Sequence, residues 1–371
     1  MKIRAALLGA VLAAAVPATA QTAPPATGDP HAPGRAVVAA IGRIVTPRGV
    51  QESFEARIGG TRQIIGVRGR DRANPILLYL HGGPAAPEMP IAWAWQRPWE
   101  EYFTMVHRDQ RGSGKSFPLN DPQAIAPTMT FDRFCADAIE VIELLRKRYA
   151  KRKIFVLGHS WGSTLGLCVL QRRPDLIHAY IGTGQVIDFR ENERVGYDWT
   201  LARARAAGNA EAVAELEALE PYARSGPFDI DKMTTERKWS IRYGALAAYR
   251  DNADFFFDAR RMSPDYLPAD RKALNDGSAY SIRTLFPILS DVSFTSLTRA
   301  EAPIFFFLGR HDHTTPSPLA AQWLDRVKAP RKGLVWFEDS AHLAEIEEPG
   351  KFLVELLRRV RPLAREGRPG A

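Results

Sequence analysis

Apolar runs of strand length alternate with segments of helical periodicity over most of the chain, which is the pattern of an α/β fold. Strands are predicted at residues 61–67, 75–80, 103–107, 154–157, 177–183, 303–308 and 333–337. Helices are predicted at 131–149, where apolar residues lie on one face, at 164–170, and from about residue 349 onward. We therefore expect a mostly parallel sheet flanked by helices.

The alternation stops between residues 189 and 290, where helical segments rich in Ala, Glu and Arg take over. This segment also carries the aromatic residues Trp199, Tyr222, Trp239, Tyr243, Tyr249 and Phe255 to Phe257. We interpret it as a helical cap inserted into a core made of residues 35–188 and 291–371, lying over the site where a substrate would bind. Each of these aromatic side chains, taken alone, is more simply explained as part of the cap's own core.

The first 34 residues are predicted to lie outside the folded core. Lys2 and Arg4 precede the apolar run 5–16, and Ala18-Thr19-Ala20 offers a small-residue cleavage site, so residues 1–20 are predicted to be a secretory signal peptide. The apolar run is too short to span a bilayer. Residues 21–34, rich in Pro, Ala, Thr and Gly, are predicted to be a flexible leader. We expect an exported protein, periplasmic or secreted, without stable membrane insertion.

Charge and cysteine content set two further expectations. The formal net charge of +8 includes two charges of the signal peptide and several of the C-terminal tail, and no nucleic-acid motif is present, so no nucleic-acid partner is expected. The two cysteines, Cys135 and Cys168, lie in predicted helices. An exported chain could pair them, but the apolar neighbours of Cys168 favour two buried free thiols.

The segment from Gly158 to Gly162 has the pattern Gly-x-Ser-x-Gly between a predicted strand and a predicted helix. Such a turn holds its serine in a strained conformation and exposes the hydroxyl at a helix N-terminus, where negative charge is favoured. Ser160 is therefore the candidate nucleophile. The alternative is a glycine-rich turn without chemistry.

Backbone N–H groups that could stabilise an oxyanion are expected at two places. His81-Gly82-Gly83-Pro84 follows a predicted strand, and its glycines leave the N–H groups open to a ligand. Of the two glycines we favour Gly83. Trp161, the residue after the candidate nucleophile, would supply the second N–H group.

An acid and a histidine complete the group of candidate catalytic residues. Asp312 follows the predicted strand 303–308, at the edge of the sheet where catalytic groups of open α/β sheets gather. His342 lies in the loop after strand 333–337 and is the candidate base. Asp339 is too close to His342 along the chain to reach its Nδ1 easily, so Asp312 is preferred as the acid. The chain order serine, acid, histidine is a known one for this type of turn.

Two other motifs are set aside. Gly114-Lys115-Ser116 resembles the end of a phosphate-binding loop, but the first glycine that this loop requires would fall at position 109, which is Asp. Asp109 and Arg111 are instead expected to make structural hydrogen bonds. The sequence His311-Asp312-His313 suggests a metal site, but neighbouring positions on one loop rarely direct three ligands at one ion, so no metal is expected.

Together these motifs resemble the proline iminopeptidase family of serine peptidases, within the α/β-hydrolase superfamily. The matching pieces are His81-Gly82-Gly83-Pro84, Asp109-Gln110-Arg111-Gly112-Ser113-Gly114, Gly158-His159-Ser160-Trp161-Gly162, Gly309-Arg310-His311-Asp312 and Ala341-His342. The resemblance implies an α/β-hydrolase fold, a serine nucleophile, the triad named above and the release of an N-terminal residue, commonly proline, from peptides. The chain departs from the family after Pro84, where it has Ala85 in place of glycine.

The substrate is the part of the function that the sequence leaves most open. Glu191 and Glu193 at the cap entrance are candidates to bind a cationic substrate group, although a solvated helix face explains each more simply. The family anchors the substrate amine with cap glutamates, but its cap cannot be matched to this one residue by residue.

The first expectation for the function is an exported aminopeptidase acting on short peptides without a cofactor. An esterase or lactonase with the same triad is the second, because the scaffold does not distinguish ester from amide. A catalytically silent ligand-binding protein is the third, and it would have no need of all three triad residues. The sequence does not give the oligomeric state.

Overall fold

The computed structural model describes residues 28–365 and is built around one eight-stranded sheet. The strands are β1 (Val50–Ile58), β2 (Thr61–Gly69), β3 (Ile76–Leu80), β4 (Thr104–Arg108), β5 (Ile154–His159), β6 (Ile177–Thr183), β7 (Ile304–Gly309) and β8 (Lys332–Phe337). Their order across the sheet is β1-β2-β4-β3-β5-β6-β7-β8. The pairs β1–β2 and β2–β4 are antiparallel and all other neighbours are parallel.

Helices cover both faces of the sheet and fill the insertion between β6 and β7. They are α1 (Ala32–Gly42), α2 (Pro122–Ile125), α3 (Phe131–Arg148), α4 (Trp161–Arg172), α5 (Phe189–Ala206), α6 (Ala210–Glu217), α7 (Ile230–Arg242), α8 (Asp254–Ala259), α9 (Pro268–Leu289), α10 (Ser317–Arg326), α11 (Ala344–Glu347) and α12 (Pro349–Glu355). A π-helical turn, Leu356–Val360, follows α12. We use the name cap for residues 189–290, which contain α5 to α9.

The parallel strands β3 to β7 are buried on both faces, which is why they appear in the sequence as apolar runs. In β3, Leu78 and Leu80 join the hydrophobic cluster on one side of the sheet, whereas Leu77 and Tyr79 join the cluster on the other. All five residues of this strand are buried. Because parallel strands end at the same edge, the loops after β3, β5, β7 and β8 lie together, and these loops carry the candidate site residues.

Strand β1 has no counterpart among the predicted strands. It is one of the two edge strands, and its inner residues alternate between exposed and half-buried positions, so it lacks the continuous apolar run that marks the inner strands. Its pairing with β2 places Ile58 opposite Thr61, which leaves Gly59-Gly60 as a two-residue hairpin turn. That glycine pair was the available signal for the missed strand.

The N-terminal region differs in part from its prediction. A flexible leader is predicted through residue 34, whereas the structure begins α1 at Ala32 and pairs Asp29 with Arg35 at 2.6 Å. Arg35 also donates to the carbonyl of Arg261 in the cap, so this end of the chain is tied to the cap. The predicted signal peptide, residues 1–20, lies outside the described residues. Within residues 28–365 no helix has the length and apolarity needed to cross a bilayer.

The expectation of two free thiols is wrong, because Cys135 and Cys168 form a disulfide. Cys135 lies on α3 and Cys168 on α4, and both are buried. The two helices pack side by side with the Cα atoms of the cysteines 6.1 Å apart, a separation within the range that a disulfide requires. The apolar surroundings that favoured free thiols are the interface between the two helices.

Two glutamates, Glu88 and Glu345, are buried in the core. The hydroxyl of Tyr79 donates to Glu345 Oε1 at 2.6 Å, and the indole of Trp95 donates to Glu88 Oε1 at 3.3 Å. Both glutamates are almost completely buried. Burial, reinforced by the charge of Glu345, raises the pKa of Glu88 to about 8. Glu88 is therefore a carboxyl group that the fold keeps protonated through neutral pH.

Removing the disulfide should destabilise the protein. The bond closes a loop with a sequence separation of 33 residues, for which the loss of loop-closure entropy in the unfolded state corresponds to about 3–4 kcal/mol. We expect the double variant Cys135→Ala/Cys168→Ala to lose about that much free energy of unfolding in denaturant titrations. Reduction should weaken the wild-type protein and leave the variant unchanged. A wild-type protein that is indifferent to reductant would contradict the pairing.

The stability of the wild-type protein should fall as pH rises through the raised pKa of Glu88. Because the folded state holds this proton up to about pH 8 and the unfolded state releases it near 4.5, the folded state binds more protons between these values. Glu88→Gln should remove this loss, so that the variant gains roughly 2–4 kcal/mol relative to the wild type between pH 5 and pH 9. The exposed Glu211→Gln is the matched control. Parallel pH profiles for wild type and Glu88→Gln would contradict the prediction.

Candidate active site

Ser160 occupies the sharp turn between β5 and α4. Its backbone has φ 54° and ψ −126°, a conformation that non-glycine residues rarely adopt. The turn is held by two backbone hydrogen bonds, from Ser160 N to the carbonyl of Thr183 at 3.2 Å and from Ser163 N to the carbonyl of Ser160 at 2.8 Å. Ser160 is only partly buried, whereas the residues on either side of it are buried. The fold thus presents this hydroxyl at the carboxyl edge of the sheet.

Asp312 and His342 are in contact. His342 Nδ1 lies 2.9 Å from Asp312 Oδ2, and both side chains are almost completely buried. Thr315 fixes the carboxylate, since its backbone N–H donates to Oδ1 at 2.8 Å and its hydroxyl donates to Oδ2 at 2.7 Å. With Nδ1–H directed at the carboxylate, Nε2 of His342 is left as the nitrogen that can accept a proton.

The alternative acid lies elsewhere. Asp339 Oδ1 accepts a hydrogen bond from the hydroxyl of Tyr249 at 3.4 Å, and its backbone N–H donates to Glu348 at 3.2 Å. Its hydrogen bonds therefore tie it to the exposed rim of the β8–α11 loop. The structure brings Asp312, and not Asp339, to the imidazole of His342.

His159 connects the serine turn to His342. Its Nε2 donates to the backbone carbonyl of His342 at 3.0 Å, and the two rings lie 4.6 Å apart. Burial lowers the pKa of His159, so the ring stays neutral and keeps this hydrogen bond at neutral pH. Among the hydrogen bonds of residues 28–365, none joins the Ser160 hydroxyl directly to His342.

The two candidate oxyanion donors belong to the loop after β3 and to the start of α4, which both adjoin Ser160. A Cβ at Gly82 would lie 2.9 Å from Ser160 Cβ, so the loop after β3 runs directly against the serine. Gly83, the next residue, is exposed. Trp161 is the first residue of α4, where backbone N–H groups have no partner within the helix. Ala85, where the family has glycine, has φ 61°, so the loop keeps a glycine-like conformation despite the side chain.

Gln110 links the three loops and was not singled out from the sequence. Its Oε1 accepts from the indole of Trp161 at 3.0 Å, and its Nε2 donates to the carbonyl of His81 at 3.1 Å. Its backbone N–H donates to His81 Nε2 at 3.3 Å. Gln110 therefore links the loop that carries Gly83 to the side chain of Trp161. Its place between Asp109 and Arg111 in a matching motif was the signal that could have found it.

Asp109 and Arg111 make the structural contacts expected of them. Asp109 is buried and accepts hydrogen bonds from the backbone of Lys115 at 2.7 Å and from the hydroxyl of Tyr266. Arg111 forms a buried ion pair with Asp137 of α3 at 3.1 Å. Both residues hold the loop after β4 in place. Neither contacts Ser160 or His342 among the described hydrogen bonds and ion pairs.

Part of the cap covers the acid and the histidine. The carbonyl of Ala245 accepts from His313 N at 3.4 Å, and the carbonyl of Leu246 accepts from His342 N at 3.1 Å. Glu347 links the cap to the loop that carries His342. Its carboxylate accepts hydrogen bonds from Ala248 N at 2.6 Å and from Ala341 N at 2.8 Å. Residues 245–248 therefore lie across the loops that carry Asp312 and His342.

The cap glutamates are already paired. Glu191, at the start of α5, forms an ion pair with Arg194 at 2.6 Å on the partly exposed side of the helix. Glu193 is buried, pairs with Arg237 and accepts a hydrogen bond from Tyr222. Both carboxylates are thus neutralised within the cap, and the structure does not bring either of them to the triad residues. Their role in binding a substrate amine stays a prediction.

The described residues contain no group of three or more His, Cys, Asp or Glu side chains arranged to hold a metal ion. The side chains of His311, Asp312 and His313 contact different partners. His311 contacts Tyr249 at 3.0 Å, whereas the ring of His313 stacks on Trp199 with centroids 4.0 Å apart. Asp312 thus contacts His342, whereas the histidines on either side of it contact aromatic side chains of the cap.

Comparison with known proteins assigns the chain to a family. A sequence profile described as alpha/beta hydrolase fold matches residues 75–349. The protein named "Probable aminopeptidase YbaC" from Bacillus subtilis (strain 168) is 32% identical over 311 residues, which cover 83% of this chain and 95% of that protein.

Two solved structures share the fold at lower identity. The proline iminopeptidase of Mycobacterium smegmatis has a TM-score of 0.60 at 21% identity and covers 85% of this chain and 99% of its own. An esterase from Exiguobacterium antarcticum has a TM-score of 0.56 at 19% identity and covers 82% and 98%. The profile match spans the sheet from β3 to β8 and all the loops described above. The chain therefore belongs to the alpha/beta hydrolase family, with a probable aminopeptidase among its relatives.

Proposed function

We propose that the protein is a serine hydrolase in which Ser160 is the nucleophile, His342 the general base and Asp312 the acid that orients it. The observation that carries the proposal is the 2.9 Å contact between Asp312 and His342 Nδ1, beside a serine held at positive φ. Such a contact leaves Nε2 free to take the serine proton. The hydrogen bond from Ser160 to Nε2 would form when substrate binds, because catalytic hydrogen bonds often tighten only in the complex.

The reaction would proceed through an acyl-enzyme. His342 Nε2 takes the hydroxyl proton as Ser160 Oγ attacks the substrate carbonyl carbon, and the carbonyl oxygen becomes an oxyanion. The imidazolium, stabilised by Asp312, then gives its proton to the leaving amine as the C–N bond breaks. Water, activated by the same histidine, attacks the acyl-enzyme and releases the acid product together with the free serine.

The backbone N–H groups of Gly83 and Trp161 would stabilise the oxyanion. They belong to the loop after β3 and to the start of α4, which Gln110 links through the carbonyl of His81 and the indole of Trp161. Because both belong to the backbone, they are preorganised and need no rearrangement during the reaction. The loss of one such donor typically costs about 3 kcal/mol of transition-state stabilisation.

The substrates that we propose are short peptides, from which an N-terminal residue of the proline type is released. This part rests on the relative named as a probable aminopeptidase, whose similarity extends over 83% of the chain. The sequence motifs shared with proline iminopeptidases point the same way. Ester or lactone hydrolysis would use the same triad, so the choice depends on the leaving group and not on the catalytic residues.

We further propose that the protein is exported. The predicted signal peptide motivates this location, and the Cys135–Cys168 disulfide supports it, because disulfides persist in oxidising compartments and are rare in the cytosol.

A panel of chromogenic substrates tests the proposed reaction. Aminoacyl anilides, with proline included, should be hydrolysed, and the matched N-acetylated anilides should not, because an aminopeptidase requires the free amine. Simple nitrophenyl esters complete the panel. Hydrolysis of esters alone would replace the aminopeptidase with an esterase or lactonase, and no turnover of any member would indicate a silent ligand-binding protein.

The same panel tests the residue roles through three variants. Ser160→Ala should abolish turnover without unfolding the protein, and Asp312→Asn should lower it by several orders of magnitude, on the order of ten-thousandfold, by holding the histidine in the wrong tautomer. Asp339→Asn is the matched control and should cost far less. A crippled Asp339→Asn beside a nearly normal Asp312→Asn would reverse the assignment of the acid.

Intact-mass measurement tests the export proposal. Protein isolated from its native host should begin near Gln21, after removal of residues 1–20. A full-length species found in the cytoplasm would refute the proposal.

A further inference from the structure

A second cleft lies on the outer side of the loop that carries Asp312. It has a volume of about 500 Å³ and is formed where the ends of α5 and α7 and the segment after α7 meet the β7–α10 loop. Its wall from the core includes His313, which directly follows Asp312. The cleft therefore spans the boundary between the cap and the core, next to the candidate acid.

Three arginines line this cleft without a carboxylate partner. Arg203, Arg242 and Arg250 are exposed and form no ion pair with any residue of the range 28–365. Several other cap arginines, by contrast, pair with carboxylates, among them Arg194, Arg205, Arg224 and Arg237. Asp251 is the single acidic side chain that lines the cleft within the described chain. The guanidinium and carboxylate groups thus leave an excess of two positive charges.

Aromatic rings contact two of the three arginines and the histidine. The guanidinium of Arg250 lies 4.2 Å from the ring centroid of Phe255, and that of Arg203 lies 6.0 Å from Trp199. Trp199 in turn stacks flat on His313 at 4.0 Å. A guanidinium that rests on an aromatic face keeps its N–H edge free for an oxyanion. The charged groups are therefore positioned without being neutralised.

We propose that this arginine cleft binds a small dianionic ligand through Arg203, Arg242 and Arg250. The charge excess matches a ligand with two negative charges, and the planar N–H forks of arginine match phosphate or carboxylate oxygens. The ligand's anionic groups belong either to a free anion or to an acidic peptide substrate of the proposed reaction. The binding site itself does not depend on the proposed peptidase activity.

Direct binding to the full mature protein tests the site. Inorganic phosphate and succinate serve as probes, with intrinsic tryptophan fluorescence, to which Trp199 of the cleft contributes, and titration calorimetry as readouts. Arg203→Gln and Arg242→Gln should each weaken the binding of the probes by about tenfold, the loss expected for one charge-assisted contact, and added salt should weaken it in the wild type. Arg205→Gln, on the same helix but paired with Glu217, is the control and should bind like the wild type.

Circular dichroism verifies that the exposed variants remain folded. No binding of either probe to the wild type, or equal binding in wild type, Arg203→Gln and Arg242→Gln, would overturn the proposal. Because these titrations require no turnover, their result is separate from that of the substrate panel.

A kinetic arm separates the two ligand sources. Aminoacyl peptides that end in aspartate are compared with the same peptides carrying amides in place of both carboxyl groups. If substrate supplies the anion, kcat/KM should favour the acidic peptide in the wild type, and Arg203→Gln should abolish that preference without slowing the amide peptide. If a free anion is the ligand, the preference is absent while phosphate or succinate still binds the wild type and loses affinity in the variants.

Discussion

Two close approaches of the backbone create the active site. A Cβ at Gly162 would lie 1.9 Å from the carbonyl oxygen of Leu80, and a Cβ at Gly309 would lie 1.9 Å from that of Ala341. Only glycine permits such contacts. The first approach sets the serine turn against the loop after β3, and the second sets the end of β7 against the loop that carries His342. The side-chain chemistry follows from this packing, because it brings together groups that come from separate strands.

The sequence was most informative where a single physical cause dominates. Strands buried on both faces give continuous apolar runs, so β3, β5, β6 and β7 are predicted within a few residues of their bounds. The short sequence separation between Asp339 and His342 was enough to select Asp312 over Asp339 as the neighbour of His342. The insertion from α5 to α9 is recognisable because strand-like runs are missing from it.

The features that the sequence did not predict depend on contacts between residues that are far apart in the chain. The pairing of Cys135 with Cys168 is decided by how α3 packs on α4, and their apolar neighbours suggest the opposite result. Glu193 is neutralised by Arg237, which is 44 residues away in the chain. Thr315 and Gln110 position the site through hydrogen bonds that appear only once the loops are assembled. Strand β1 is half exposed, so its apolar signal is weak.

The disulfide between α3 and α4 has a topological consequence. Cys135 precedes β5 and Cys168 lies within the helix after it, so the bond closes a covalent ring that contains the whole serine turn. A protease that cut the chain once anywhere inside this ring would leave both ends attached to the same molecule. Ser160, the candidate nucleophile, therefore lies on a segment that one cleavage cannot release.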